Sequence, residues 1–336
     1  NNANASFNFY DLTAKVNYTI NSKNTVFMSG YFGRDVFGTG FGFDWGNTTL
    51  TTRWNHVFSN KLFLNATAFY SNYDYMLDSD IENKRPNDAF KWTSNIVNLS
   101  IKPDFTYYVR PDNTITFGGQ LLTYDFTPGK ANATSNGEKR EFGQADKKGL
   151  EASAYVGHDW KLSNRVAIQY GIRYSNYDYK SANGEYYDRI PVALSTENPS
   201  GYALKINQID PEATVATYGN WEPRFAMNVT ANESTSLKWS YNRLVQYIHL
   251  MSNTAASTPL DVWTSSTNNI KPQIVDQVAM GVFKNFGPEG NNYESSIEVY
   301  YKDMQNQIDY ADRANLFLNP YFEKDLLFGK GRAYGI

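Results

Sequence analysis

The sequence contains no cysteine among its 336 residues, which excludes a disulfide framework, a thiolate metal site and a cysteine nucleophile. It also lacks any apolar run near the roughly 18 residues that a membrane-spanning helix requires, and its mean hydropathy is negative. An excess of positive charge is missing as well. With 31 basic and 34 acidic residues the net charge is -3, and without a Lys/Arg block nucleic-acid binding has no electrostatic support. The opening residues, NNANASFNFYD, carry neither a basic nor an apolar signal region, so the chain is expected to be a mature or truncated one.

Aromatic residues are plentiful. They make up 16% of the chain, with 26 Tyr and 21 Phe, and they recur with a period of two, the signature of strands that present two different faces. From Arg165 to Ser175 one face carries Val166, Ile168, Tyr170, Ile172 and Tyr174, and the other Ala167, Gln169, Gly171, Arg173 and Ser175. Leu12, Ala14, Val16, Tyr18 and Ile20 repeat the pattern, as do Phe225, Met227 and Val229. The pattern predicts about twelve strands, beginning near residues 6, 25, 41, 61, 92, 113, 150, 165, 222, 235, 273 and 292. Many exceed the usual five or six residues of soluble strands and reach the 9 to 11 that a tilted strand needs to cross a bilayer.

The links between these strands alternate in length. Short turns fall at 21–24, 59–60, 110–113, 163–164, 231–234 and 287–292, and longer links near 34–40, 78–90, 127–146, 180–220, 249–271 and 311–329. In an up-and-down meander every second link emerges on the same side, so short turns share one rim and long loops the other. That asymmetry belongs to outer-membrane β-barrels. Trp54, Phe58, Trp160 and Phe286 lie beside the short turns, at the level of an interfacial aromatic girdle. The alternative is ordinary aromatic-rich strands. The polar alternates Lys15, Arg53, Glu151, Lys161, Arg173 and Lys238 are assigned by elimination to the lumen. The expected fold is all-β: part of one large antiparallel transmembrane barrel spanning residues 1–336, incomplete, because twelve strands with ragged ends leave two edges that a membrane does not tolerate.

Four stretches resemble TonB-dependent outer-membrane transporters, especially the Bacteroidetes type that carries a regulatory domain before its plug. YVGHDWKLSNRVAIQYGIRYSNY places Tyr155, Trp160, Leu162, Gly171, Arg173 and Tyr174 at the family's positions. EPRFAMNVTANESTSLKWSYNR does the same through Pro223, Arg224, Tyr241 and Arg243. In NNIKPQIVDQVAMG, Asn268, Lys271, Pro272 and Gly281 match, while Gln273 and Gln277 replace the usual Glu. EVYYKDMQNQIDY followed by GKGRAYGI resembles a late strand and the start of the next. The resemblance implies a barrel of about 22 strands and a plug and coupling box outside this sequence. It further implies import of a ligand with energy from the TonB complex, a setting in outer-membrane lipid, and a possible surface lipoprotein partner. No cofactor, metal or nucleic acid is expected.

Candidate sites are few. The loop aromatics Tyr186, Tyr187, Tyr202, Tyr218, Trp263 and Tyr310 offer faces to a sugar, peptide or porphyrin, against the plainer reading of loop self-packing. His56 and His158 share the apolar parity of Trp54 and Trp160 and read as interfacial residues, whereas His249, in a long loop, reads as solvated. Asp78, Asp80 and Glu82 miss the spacing of a calcium loop. Without a GxSxG elbow or a convergent Ser/His/Asp set, catalysis is not expected. The rivals to transport are a passive porin, a surface-adhesion barrel and, more remotely, an outer-membrane hydrolase.

Overall fold

The computed structural model describes residues 6–38, 42–79, 89–135, 138–143, 145–251, 263–287, 293–312, 314 and 319–336. In chain order the strands are β1 (Ser6–Asn21), β2 (Asn24–Gly38), β3 (Gly42–Val57), β4 (Leu62–Asp78), β5 (Ala89–Arg110), β6 (Asn113–Ser135), β7 (Glu138–Gly143), β8 (Lys147–Lys161) and β9 (Val166–Ser181). There follow β10 (Glu185–Pro191), β11 (Tyr202–Gln208), β12 (Thr214–Asn232), β13 (Thr235–Gln246), β14 (Ile248–Leu250), β15 (Trp263–Ser265), β16 (Gln273–Phe286), β17 (Tyr293–Tyr310) and β18 (Leu326–Gly335).

The long strands form one antiparallel meander in the order β1-β2-β3-β4-β5-β6-β8-β9-β12-β13-β16-β17-β18, with β7 paired to the end of β6. All twelve expected strands are present, and β18 is a thirteenth. Among the described residues β1 and β18 are the two edges of the sheet, and the sheet does not close on itself.

The turns at the short rim form from their own side chains. Asn21 Oδ1 accepts from Lys23 N at 2.9 Å, Ser59 Oγ from Leu62 N at 3.2 Å, Ser163 Oγ from Val166 N at 3.1 Å and Asn232 Oδ1 from Ser234 N at 3.0 Å. A short polar side chain that caps its own backbone is what a tight reversal needs. The links of the other rim are less simple than the sequence suggested. β2 continues to Gly38, since Val36 and Phe37 still pair with β3, so the long link placed at 34–40 shrinks to residues 39–41. The 180–220 link contains the β10-β11 hairpin, and the β14-β15 pair joins the start of the 249–271 link to residues 263–265.

Register separates the faces. Phe105, Phe117, Val156, Ile172 and Pro223 stand side by side across five strands on the outer face. The adjoining row, Asp104, Gly118, Tyr155, Arg173 and Glu222, faces inward. Lys15, Arg53, Lys161 and Lys238 all fall on this inner side. Outer residues such as Leu99 (53%), Met280 (57%) and Ile297 (62%) are far more exposed than apolar side chains facing water would tolerate as a continuous band. On β9 that band runs from Val166 to Tyr174 and then gives way to Asn176, Asp178 and Lys180, nine residues that suit a tilted crossing. His56 lies 5.3 Å from Trp54 and His158 is stacked on Trp160 at 5.7 Å; both histidines are on the outer face beside the short turns.

Candidate functional site

The long-loop rim is where the sheet's inner wall meets chain that is far away in sequence. Lys147 opens β8 and belongs to the same inner row of alternates as Glu151. Its Nζ donates to Thr264 Oγ1 at 2.9 Å and to Glu323 Oε1 at 2.6 Å, and it lies 5.1 Å from the centre of the Phe322 ring. Both charged side chains are almost fully buried, at 6% and 7% exposure. Glu323 sits in a single 3-10 turn, Phe322–Asp325. Its second oxygen accepts from Thr267 Oγ1 at 3.1 Å and Asn269 Nδ2 at 2.8 Å. Burial alone raises the Glu323 carboxyl, but the Lys147 charge and these donors outweigh it and hold the group below its ordinary value.

The described parts of three loops interlock over this pair: the first is 182–213, the second 247–251 with 263–272, and the third 319–325. Asn268 Nδ2 donates to the Tyr187 carbonyl at 2.7 Å and to Asp188 Oδ1 at 2.8 Å, tying the 247–272 loop to β10. Arg189 donates to the Leu326 carbonyl at 2.8 Å and stacks 4.0 Å from the Tyr202 ring, tying the β10-β11 hairpin to the third loop. Lys324 Nζ returns the contact by donating to the Glu197 carbonyl at 2.7 Å. Below the loops, Met251, Ile270, Phe322 and Leu326 pack against the inner-face side chains Phe43, Tyr75 and Trp92.

His249 is not solvated. It is 2% exposed, because the β14-β15 pairing turns it into the interior, where its Nε2 meets Ser266 Oγ at 2.9 Å. Burial, with the Lys147 charge adding to it, lowers its pKa to about 4. The inner wall of β8, β9 and β12 carries a connected polar row. Arg173 donates to Glu151 at 2.9 Å and pairs with Glu222 at 3.5 Å, while Ser175 Oγ donates to Glu222 at 2.9 Å and shares a 2.7 Å bond with Tyr247.

The six aromatic candidates gather at this rim, yet they do not form one open surface. Tyr187 meets Tyr321 edge-on at 5.7 Å, Tyr202 carries Arg189, and Tyr218, on β12, donates to the Thr267 carbonyl at 2.6 Å. Tyr310 closes β17 against the Phe43 cluster. Tyr186 lies on β10, and Trp263 pairs with Leu250. Sequence reasoning missed Lys147, Glu323, Thr264, Thr267 and Asn269. Only Asn268 was marked, through its motif; a lysine opening a strand and a glutamate in a loop have no local signature. Of the acidic triplet, Asp80 and Glu82 lie outside the described residues. Among the described residues no group of three His, Asp or Glu is placed to hold a metal.

The family model described as TonB dependent receptor-like, beta-barrel, matches residues 1–336. The chain belongs to that family. It is therefore an outer-membrane barrel chain, and the band of exposed apolar residues is its lipid-facing surface. No curated protein matches the sequence. Among solved structures, the Serratia marcescens hemophore receptor HasR, in complex with its hemophore HasA and heme, superposes with a TM-score of 0.64 at 13% identity, over 98% of this chain and 51% of that one. The copper transporter OprC gives 0.62 at 13% identity, over 90% of this chain and 46% of its own. The ferric-catecholate import receptor Fiu of E. coli gives 0.61 at 12%, over 98% and 54%. These likenesses carry the fold, and the TonB-dependent receptor chain spans about half the length of the structures it matches.

Proposed function

We propose that this barrel segment belongs to an outer-membrane receptor that moves a ligand into the periplasm with energy coupled through TonB. The observation that carries the reading is the loop assembly. Three loops from one rim fold inward onto the lumen-side wall and bury part of it, as suits a gated importer better than an open pore. The ligand is met by the loop side chains, with Tyr186, Tyr187, Tyr202, Tyr218, Trp263 and Tyr310 as the aromatic faces for a sugar, peptide or porphyrin. Plug, coupling box and any surface lipoprotein partner lie outside this sequence and belong to the same proposal. The narrower likeness, to the Bacteroidetes type, rests on the sequence motifs alone.

The test compares cells carrying the full-length protein with cells lacking it, supplied with ferric chelates, haem, oligosaccharides or oligopeptides as the nutrient. At least one class is expected to enter only when both the receptor and a working TonB system are present. Uptake that survives loss of TonB identifies a passive barrel and overturns the proposal.

A further inference from the structure

We infer that the Lys147–Glu323 pair is a latch that holds the third loop, through its residues 319–325, against the inner wall and makes it open as a two-state element; the inference deepens the import reading and rests on it. Other close ion pairs, Arg34–Asp74, Arg173–Glu151 and Arg243–Asp276 within the sheet and Lys148–Glu212 between β8 and a loop, all keep part of at least one side chain in water. Lys147–Glu323 differs in joining wall to loop across 176 positions of sequence with both side chains out of water. Glu323 is also the shared acceptor of the lock: Lys147 reaches it from the wall, and Thr267 and Asn269 from the neighbouring loop.

Physical chemistry turns this arrangement into a switch. Separating a buried pair while either charge stays buried is strongly unfavourable, whereas exposing both to water is tolerable. Small displacements of the third loop are therefore resisted, and a displacement large enough to hydrate Lys147 and Glu323 releases Thr264, Thr267 and Asn269 together. An element with two good positions and a poor middle is what a gate requires. On the wall Ser175 is fully buried beside Tyr247, whose carbonyl accepts from Ser266 N in the same loop as Thr267 and Asn269, so release of those two residues frees the loop that covers Ser175.

The experiment uses the full-length protein in intact cells, with Ser175→Cys as a reporter and a membrane-impermeant maleimide added outside. With the latch intact, labelling is expected to be slow. Glu323→Gln and Lys147→Met should each speed it at least tenfold, and the milder Thr267→Val about threefold. The double variant Lys147→Met/Glu323→Met should return close to the parent rate, because an apolar pair of similar size needs no partner. Single variants that label at the parent rate, or a double variant as fast as the singles, overturn the latch. If a charge variant fails to reach the outer membrane, Thr267→Val and the double variant still decide the outcome. Transport is measured in parallel: fast labelling of Glu323→Gln without TonB-dependent uptake in any strain would leave the latch standing and remove the import reading.

Discussion

At the scale of single residues, His249 shows what burial does to a loop. Solvated, its imidazole would titrate near 6.5; buried under the closed loops it is held at about 4 by burial, with the Lys147 charge adding to it. Between those two values the open form binds a proton that the closed form refuses, so closure weakens as pH falls from 6.5 to 4, with a ceiling of about 3 kcal/mol. Glu323 acts in the same sense. Its depressed pKa stabilises the closed form above the ordinary carboxylate value, and that contribution is lost as pH falls through the depressed value. Hydrogen exchange of residues 248–251 and 263–266, corrected for intrinsic rate, should accelerate from pH 7 to pH 5. His249→Gln, which keeps a partner for Ser266, should flatten the profile. An unchanged profile in that variant would assign the effect elsewhere.

Gly118 is a second instance. It stands between Asp104 and Tyr155 in the inner row, and Tyr155 lies across it to donate to Asp104. A Cβ there would sit 2.3 Å from the Pro103 carbonyl oxygen and 3.0 Å from the Tyr155 hydroxyl. Gly118→Val is expected to cost about 1–3 kcal/mol through overpacking. Urea-dependent unfolding in micelles measures it.

At the scale of elements, β9 states the rule for every spanning strand: one parity meets lipid, the other lines the lumen. Ile172 is 42% exposed on the outer face, within the apolar band. Replacing it with Arg should destabilise the inserted barrel by about 2–4 kcal/mol if it lies near the bilayer midplane. Gln169→Arg, on the lumen parity of the same strand, should be nearly silent. Folding titrations into lipid vesicles compare the two, and equal losses would contradict the assignment of faces. The bulge in β17 has its own signature: Asn306 adopts a positive φ of 56° and donates to the Pro272 carbonyl at 2.8 Å. A β-branched residue tolerates neither feature, so Asn306→Val is expected to lose about 1–3 kcal/mol, against a smaller loss for Asn306→Gly.

At the scale of the whole molecule, the alternation of rims fixes a topology. Asp112 lies in the short β5-β6 turn and Asn183 in the link that leads into β10, and both are exposed. In intact cells a cysteine at Asn183 should react with an impermeant maleimide while one at Asp112 stays unmodified until the outer membrane is permeabilised. The reverse pattern would invert the barrel. Among the described residues β1 and β18 are the sheet's edges, and an open sheet edge in hydrocarbon leaves backbone groups unsatisfied at several kcal/mol each.

The sequence alone determined the twelve long strands and their faces, because period-two alternation and turn chemistry are local properties, whereas β6 and β7 occupy most of the link expected at 127–146. Lys15, Arg53, Glu151, Lys161, Arg173 and Lys238 were assigned to the lumen from parity, and strand register places all six there. What only the tertiary structure decided is how the loops meet. No local pattern brings Lys147 to Glu323 or turns His249 inward, since those contacts depend on three separate loops folding against one wall. Nor does propensity announce the β14-β15 pair, whose three-residue strands are held by the packing around them. A buried charge becomes tolerable only when its partner arrives, and that partner is supplied by the fold.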